Sequence, residues 1–524
     1  MNASSSPGFH YDVVIVGGAL SGAATAILLL REQPKLRVLV IEKSAAFGRR
    51  VGEATVEISG YFLCRVLGLT QYLNEAHLLK QGMRFWFSNA DTRTLEDSSE
   101  IGGKYLSRVP AFQIDRAVLD EEVLLRAQQL GAELWRPASA SQIKLNSGGD
   151  QTLEVRVQEE TRFVSTRWII DASGFAATLA RQEGWLRPNE AHPTTAVWGR
   201  WTGVKDWDGL ELAQKFPKWS MACNGIRSTA TNHLLGTGWW AWCIPLKGGD
   251  VSLGVVFDQR LVKWPEGGSL GQRLKTFLMQ HPVGAELLAD AQWREGDVSW
   301  RKNLSYCSST FAGDGFALVG DAAAFLDPFY SPGMDWISFT SWSSAQLILA
   351  QQRGESMAER IAKHNRDFAR SYRCWFEAVY QDKYEYLGDF DLMRTVFQLD
   401  LGLYYLGIAS QPFKYGTKAL KEPPFSTRPS IPFFHLMRFY NRRFAKIARA
   451  RRKRGVFGLK NAGRRFLIPG FTFSSASAWP VLKAFLTWGC LEITEGWRSW
   501  FSAEPKRYTK SDSEIVPSAV AKVS

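Results

Sequence analysis

Clustered sulfur and imidazole side chains are the first thing this sequence lacks. Its six cysteines (Cys64, Cys223, Cys243, Cys307, Cys374 and Cys490) stand singly, without a C-x-x-C pair or a histidine cluster beside them. That spacing excludes a zinc-type ligand set and a secreted disulfide framework, and implies reduced thiols, a cytoplasmic setting and no metal site. Long apolar runs are also scarce. The one stretch that invites a membrane reading, Val13 to Leu30, has no Lys or Arg before it and is broken by Gly17, Gly18 and Gly22. Strand, turn and helix account for it better than a membrane span or a signal peptide.

Acidic residues are missing from one region. Between Pro423 and Leu491 there is no Asp or Glu but fourteen Lys and Arg, so of a net charge of +13 the rest of the chain carries −1. The basicity is therefore a local property. No internal repeat or low-complexity tract is present. What remains is the composition of a soluble globular protein, 45% hydrophobic and 22% charged, long enough at 524 residues for two to four structural units. Its 21 tryptophans hint at aromatic-lined cavities.

Residues 12–16 form a β-branched run with no polar face, the pattern of a buried parallel strand. Gly17 to Gly22 turn the chain, Ala23 to Arg31 suits a helix, and Arg37 to Ile41 returns as a second strand ending at Glu42. A further helix is expected over Arg116 to Leu130, with short strands at Trp168–Asp171 and Phe316–Val319. From Thr194 to Phe257 aromatic and β-branched residues alternate with glycine turns, which predicts an inserted antiparallel sheet. After Trp336 the pattern becomes helical. The expected architecture is α/β: a Rossmann-like dinucleotide-binding core over 8–355 with an inserted antiparallel sheet at 183–310. A C-terminal helical region follows over 356–501, its basic section at 423–491, and a polar tail over 502–524.

The first strand, turn and helix carry a dinucleotide fingerprint. The first glycine of such a turn allows the tight bend, the second lets backbone approach a pyrophosphate, and the third lets helix pack on strand. Gly17 and Gly22 hold the outer positions, but the middle one is Ala19, whose methyl crowds the phosphate. Glu42, 20 residues after Gly22, sits where a carboxylate accepts from ribose hydroxyls. This motif alone does not separate NAD from FAD.

Three later segments do. Phe112-Gln113-Ile114-Asp115-Arg116 with Asp120, then Asp171-Ala172-Ser173-Gly174, then Gly320-Asp321-Ala322-Ala323 occur in that order. Their order resembles the FAD-dependent aromatic hydroxylase and halogenase superfamily. The resemblance implies FAD as cofactor, with Arg116, Asp171, Gly320 and Asp321 among its contacts and a helix starting at the Gly-Asp pair. Trp240-Ala241-Trp242-Cys243-Ile244-Pro245 further resembles the W-x-W-x-I-P motif of the flavin-dependent halogenases. Two Trp on one strand face could be core packing alone. Between the two flavin motifs, they are expected to keep organic substrate from the flavin and to admit a small anion.

In that family a lysine after a Gly-Glu-x-Thr segment receives hypohalous acid. Here Gly52-Glu53-Ala54-Thr55 precedes Lys80, and the resemblance implies that role for Lys80, whose ammonium can donate to the oxidant or whose amine can form an N-halo adduct. Taken alone, Lys80 reads as a solvated surface residue. The family's halide loop corresponds to Asp327-Pro328-Phe329-Tyr330-Ser331-Pro332-Gly333, with Ser331 and Gly333 as its halide-holding positions. Two departures stand out: Pro332 has no N–H to give, and Tyr330 occupies the place of a glutamate found in tryptophan-type members. The resemblance thus implies a phenol or pyrrole type of arene, free or tethered to an acidic carrier protein, and a separate flavin reductase, since no second nucleotide motif is present.

Arg442, Arg443, Lys446, Arg449, Arg451, Arg452, Lys453 and Arg454 interleave with Phe439, Tyr440, Phe444 and Ile447. A charge run is most often a solvated helix face; its density here suggests docking of an acidic carrier or contact of 438–465 with an anionic membrane surface. Nucleic acid ranks last, for want of a recognition motif. The leading expectation is a halogenase. A hydroxylase or reductase of an aromatic or lipid-like substrate is the first rival, and a non-catalytic flavoprotein that docks partners is the second.

Overall fold

A computed structural model describes residues 8–223, 225–470, 472–473 and 478–500. The polar tail expected over 502–524 lies outside the described residues. The chain opens with β1 (Phe9–Val16), whose Val13, Val14 and Ile15 are fully buried, as a strand covered on both faces must be. Next come α1 (Leu20–Glu32), buried continuously from Leu20 to Leu30, and β2 (Val38–Ile41). β1 lies between β2 and β3 (Glu160–Asp171), parallel to both, and β3 pairs in parallel with β4 (Phe316–Leu318). The register sets Val16 beside Ile41 and Asp171, and Asp171 beside Leu318. The turns that follow all four strands therefore gather at one edge, where open α/β sheets bind ligands. The strand expected at Trp168–Asp171 is the inner end of the longer β3.

The Thr194–Thr202, Thr231–Gly236, Trp239–Pro245 and Val251–Asp258 strands build a second, largely antiparallel sheet, as their alternation predicts. It is not confined to 183–310. Met83–Phe87 pairs in parallel with Thr231–Gly236, and Arg465–Ile468, from the basic section, pairs in parallel with Ser99–Gly103. One face of this sheet covers a separate hydrophobic cluster containing Trp86, Trp201, Trp207 and Trp219. The other face turns Trp240 and Trp242 toward the main core. Many of the chain's tryptophans are thus structural.

No α-helix starts at Gly320-Asp321. Those residues form a short 3-10 turn that runs into the Ala324–Phe325 strand, and the helix α2 (Gly333–Gln352) begins after the Asp327–Pro332 loop. Beyond it, α3 (Phe390–Tyr404), α4 (Ile431–Lys453) and α5 (Ala478–Thr494) form the helical region.

The basic run lies mostly on α4, and its charges are largely neutralised from within. Arg443 pairs with Glu492, Arg451 with Asp389 and Glu495, Arg452 and Arg449 with Glu385, and Arg464 with Asp391. The acids missing between 423 and 491 are supplied by the segments on either side. Among the described residues no helix is long and apolar enough to cross a membrane, and no group of His, Cys, Asp or Glu is set to hold a metal.

Candidate active site

At the sheet edge, Gly17 adopts φ +109°, and a Cβ there would come within 2.4 Å of the Ala172 carbonyl oxygen. A Cβ on Gly22 would stand 1.9 Å from the Gly17 carbonyl oxygen, so this glycine is what lets α1 pack on β1. Ala19 is the N-cap of α1 in extended conformation, with no side-chain cap. The first turn of α1 therefore presents backbone N–H groups and a partial positive charge to this edge, as a phosphate site requires. The buried Glu42 carboxylate accepts from Gly18 N–H and Ser44 N–H, both at 2.9 Å. It shapes the turn that follows β2.

Asp171 proves to be a loop clamp. Its carboxylate accepts from Ser173 N–H at 2.9 Å and Leu179 N–H at 2.8 Å, and it does not line the cavity beside it. Gly320, at φ +59°, gives its N–H to Thr340 Oγ1. Asp321 does reach the cavity, facing Arg116; burial pushes its carboxyl up to about 6, while the guanidinium groups of Arg116 and Arg301 oppose the rise. Arg116 is itself held by Asp120 through two hydrogen bonds of 3.1 and 3.2 Å.

This first cavity runs from Arg116 and Asp321 past Gly52 and Glu53 to Trp240, Trp242 and the loop Ser331–Gly333. A second holds Lys80, Glu57, Tyr404, Tyr405 and Tyr330. Pro332, Asp335 and Trp375 border both. The two spaces meet at the start of α2.

Lys80 is not a solvated surface residue: only 3% of it is exposed. Its Nζ donates to the Thr55 carbonyl at 2.9 Å, so the Gly52–Thr55 segment and the lysine, separate in sequence, meet as one unit. Burial lowers its ammonium to about 8, with the carboxylates of Glu57 and Asp335 holding it from falling further. A fraction of neutral amine is thus available near neutral pH. Glu53 points to the other cavity, bound to Arg200 through Nε at 3.0 Å and Nη2 at 2.6 Å.

The tryptophan wall of the first cavity is fixed by a buried polar chain. Trp240 Nε1–H donates to the Tyr384 hydroxyl at 2.9 Å, and that hydroxyl donates to Asp327 at 2.8 Å. His192 Nε2 stands 2.8 Å from the same carboxylate oxygen. Trp242 Nε1–H donates to Ser252 Oγ. Asp327 also accepts from Phe329 N–H, which starts the loop turn. Tyr330 and Ser331 follow at φ +68° and +57°, a left-handed pair that non-glycine residues hold only under constraint. The constraint is visible: Ser331 N–H donates to Pro328 O, and the Tyr330 hydroxyl donates to Asp400, which Lys383 and Tyr440 also hold. With Ser331 N–H engaged and Pro332 without one, Gly333 N–H, in the first turn of α2, remains as a backbone donor toward an anion.

Sequence reasoning missed Asp335. Its carboxyl accepts from Ser59 N–H at 2.9 Å and from the Tyr404 hydroxyl at 3.3 Å, and burial pushes it up to about 7. No local signal distinguishes it from any helix-start aspartate. Its position on both cavities arises from where α2 begins.

The family model for tryptophan halogenase matches residues 12–106. Among curated proteins, a flavin-dependent halogenase, chlA, of Dictyostelium discoideum is 27% identical over 364 residues, 63% of this chain and 58% of that protein. Sulochrin halogenase gedL of Aspergillus terreus is 27% identical over 377 residues, 67% of this chain and 65% of its own length. The chain thus spans about three fifths of the length of these relatives. Among solved structures, halogenase PltM in complex with phloroglucinol and FAD superposes with a TM-score of 0.69 at 19% identity, covering 91% of this chain and 96% of PltM. The myxobacterial chondrochloren halogenase CndH gives a TM-score of 0.61 at 21% identity, over 82% and 97%. These likenesses agree with the resemblance carried by the motifs: the chain is similar in sequence to flavin-dependent halogenases and shares the Rossmann-like fold of the solved ones.

Proposed function

We propose that this protein is an FAD-dependent halogenase that installs chlorine or bromine on an electron-rich arene, of phenol or pyrrole type. The observation that carries the reading is the pair of cavities meeting at Pro332 and Asp335, with Asp321 and Arg116 in one and the buried Lys80 in the other. The first fits FAD. Gly17 and Gly22 clear the phosphate turn, the α1 N-terminus faces it, Glu42 stands at the ribose position, and Asp321 and Arg116 offer charged groups farther along. When bound and reduced by a separate flavin reductase, FAD supplies the redox chemistry that turns halide and O2 into hypohalous acid.

The protein's own part is separation and delivery. Trp240 and Trp242, locked by Tyr384 and Ser252, wall the flavin side from organic substrate. A small oxidant can pass along the shared border, and the Lys80 amine, part neutral because of burial, is suited to receive it. The tyrosine-lined second cavity suits an aromatic substrate of modest size. Tyr330, anchored on Asp400, leaves the halide loop without the carboxylate of tryptophan-type members, which argues against free tryptophan. An acidic carrier docking on 438–465 has little motive, since those arginines are partnered internally.

One observation favours a rival. The loop donor count is low, because Ser331 N–H is engaged and Pro332 has none. That suits a hydroxylase or reductase on the same fold. Purified protein with FAD, a flavin reductase, NADH and bromide, offered a panel of phenols and pyrroles, separates the two. Products with the bromine isotope doublet are expected; oxygenated or reduced products formed regardless of halide would replace the reading with the rival.

A further inference from the structure

The helix α5 is apolar on both sides: Val481, Ala484, Phe485, Trp488 and Leu491 pack on the core, and a second apolar stripe faces outward. Trp479, Leu482, Leu486, Cys490, Ile493 and Trp497 recur at steps of three and four, so they form one face of the helix and of the turn that follows it. That face is open: Trp479 is 67% exposed, Leu486 61%, Ile493 77% and Trp497 55%. It runs for about 21 Å from Trp479 to Ile493 at the helical rise per residue. The inward face, with Val481 and Ala484, is what packs on the body of the protein. Scattered single hydrophobics on a surface are ordinary, but a continuous stripe of this length is not.

Among the described residues of this segment, the exposed charges have one sign. Glu492 and Glu495, the two acids of this segment, are turned inward. Glu492 accepts from Arg443 and from the indole N–H groups of Trp488 and Trp500, and Glu495 is bound to Arg451 and Arg454. The exposed charged residues alongside the stripe are Lys483 and Arg498, the latter lying over the Trp497 ring at 5.4 Å. Tryptophan at both ends, aliphatic residues between, and flanking cations without a free carboxylate are what a helix lying in a headgroup layer requires. A second copy of the same face would bring cations against cations.

We propose that this face of α5 docks the protein on an anionic lipid bilayer, with the tryptophans at headgroup level and Lys483 and Arg498 on lipid phosphates. The surface is distinct from the basic section 438–465, whose arginines are engaged inside the protein. The proposal goes beyond the halogenase reading and holds whether or not that reading does. α5 also packs on α3, whose Phe397, Leu401 and Tyr404 line the Lys80 cavity, so the bilayer would lie one helix layer from it.

Flotation of the full chain with phosphatidylcholine vesicles, with and without phosphatidylglycerol, tests it. The protein is expected to float with the mixed vesicles and far less with phosphatidylcholine alone. Lys483→Glu/Arg498→Glu should lower binding to the mixed vesicles by about tenfold or more, at roughly a fivefold effect per basic residue near an anionic surface. Leu486→Glu/Ile493→Glu should abolish it while leaving the melting temperature in place, because neither side chain is packed. Failure of the wild type to float with either vesicle overturns the proposal. So does a concentration-dependent dimer that Leu486→Glu/Ile493→Glu dissociates, which would assign the stripe to a second copy of the chain.

Discussion

The two cavities are built by opposite means. The walls of the first come partly from short segments that the sequence singles out: Gly52–Ala54, the turn at Asp321 and the Trp240–Pro245 strand, with the Gly17–Gly22 turn at the neighbouring sheet edge. The second is assembled from single residues far apart in the chain, Glu57, Lys80, Tyr330, Asp335, Asp400 and Tyr404, of which only Lys80 and Tyr330 are singled out by a family resemblance. The difference teaches where function can be read early. A site that must approach a phosphate with backbone leaves a glycine signature, whereas one that receives a varied organic molecule needs only side chains in the right place.

Five substitutions would break or sharpen that comparison. The largest effect is expected for Lys80→Ala, which should lower arene halogenation by about 1000-fold, the scale of losing a positioned proton-transfer or nucleophilic group. FAD content and flavin reoxidation should be unchanged, since the first cavity does not use Lys80; product mass spectra beside flavin absorbance check both. Retained halogenation would remove the lysine from the mechanism.

Arg451→Met comes next. It strips Asp389 and Glu495 of a buried partner, and a denaturant titration should show a loss of about 3 kcal/mol or more. A neutral result would return the basic section to the role of a free docking face.

Lys80→Met is expected to stabilise the fold at neutral pH by about 1–3 kcal/mol while removing activity, a trade often found at functional sites. The sign follows from burial. The folded lysine titrates near about 8 against 10.5 for the ordinary group, so below the lower value the wild type bears the full cost of a buried cation. As pH rises from about 8 past 10.5 that cost disappears, and the melting curves of the two proteins should converge.

Tyr384→Phe cuts the chain from Trp240 to Asp327 and should cost about 1–2 kcal/mol, with slower turnover through a loosened wall. The smallest effect is expected for the exposed Lys453→Ala, within about 0.5 kcal/mol. A larger fall would show that α4 depends on its net charge and not on its individual pairs.

Much of the frame is legible in the sequence. The first βαβ unit, the helix after Asp115 and the alternating strands around Trp240 all follow from local periodicity, which a few neighbouring residues enforce. The start of α2 is less legible. Asp321 with the alanines after it suggests a helix start, yet Pro328, Pro332 and the left-handed Tyr330–Ser331 pair delay it to Gly333. Asp171 reads as a cofactor contact because its motif is associated with one; its carboxylate is spent on Ser173 and Leu179. A motif reports that a residue is needed, not which atoms it meets.

The basic section shows the same limit in charge. Counting residues between 423 and 491 finds only cations, and only the packing of α4 against Glu385, Asp389, Glu492 and Glu495 shows them paired. By itself the sequence determined the dinucleotide turn, the order of the strands that carry it and the identity of Lys80 as a candidate. The first two depend on backbone conformation and spacing, which are local; Lys80 is a candidate only through the resemblance that the segment before it carries. The tertiary structure alone decided that Lys80 is buried, that Asp335 and Pro332 stand between two cavities, and that α5 turns its apolar face outward. Burial and electrostatic partnership arise between segments far apart in the chain, and no local pattern encodes them.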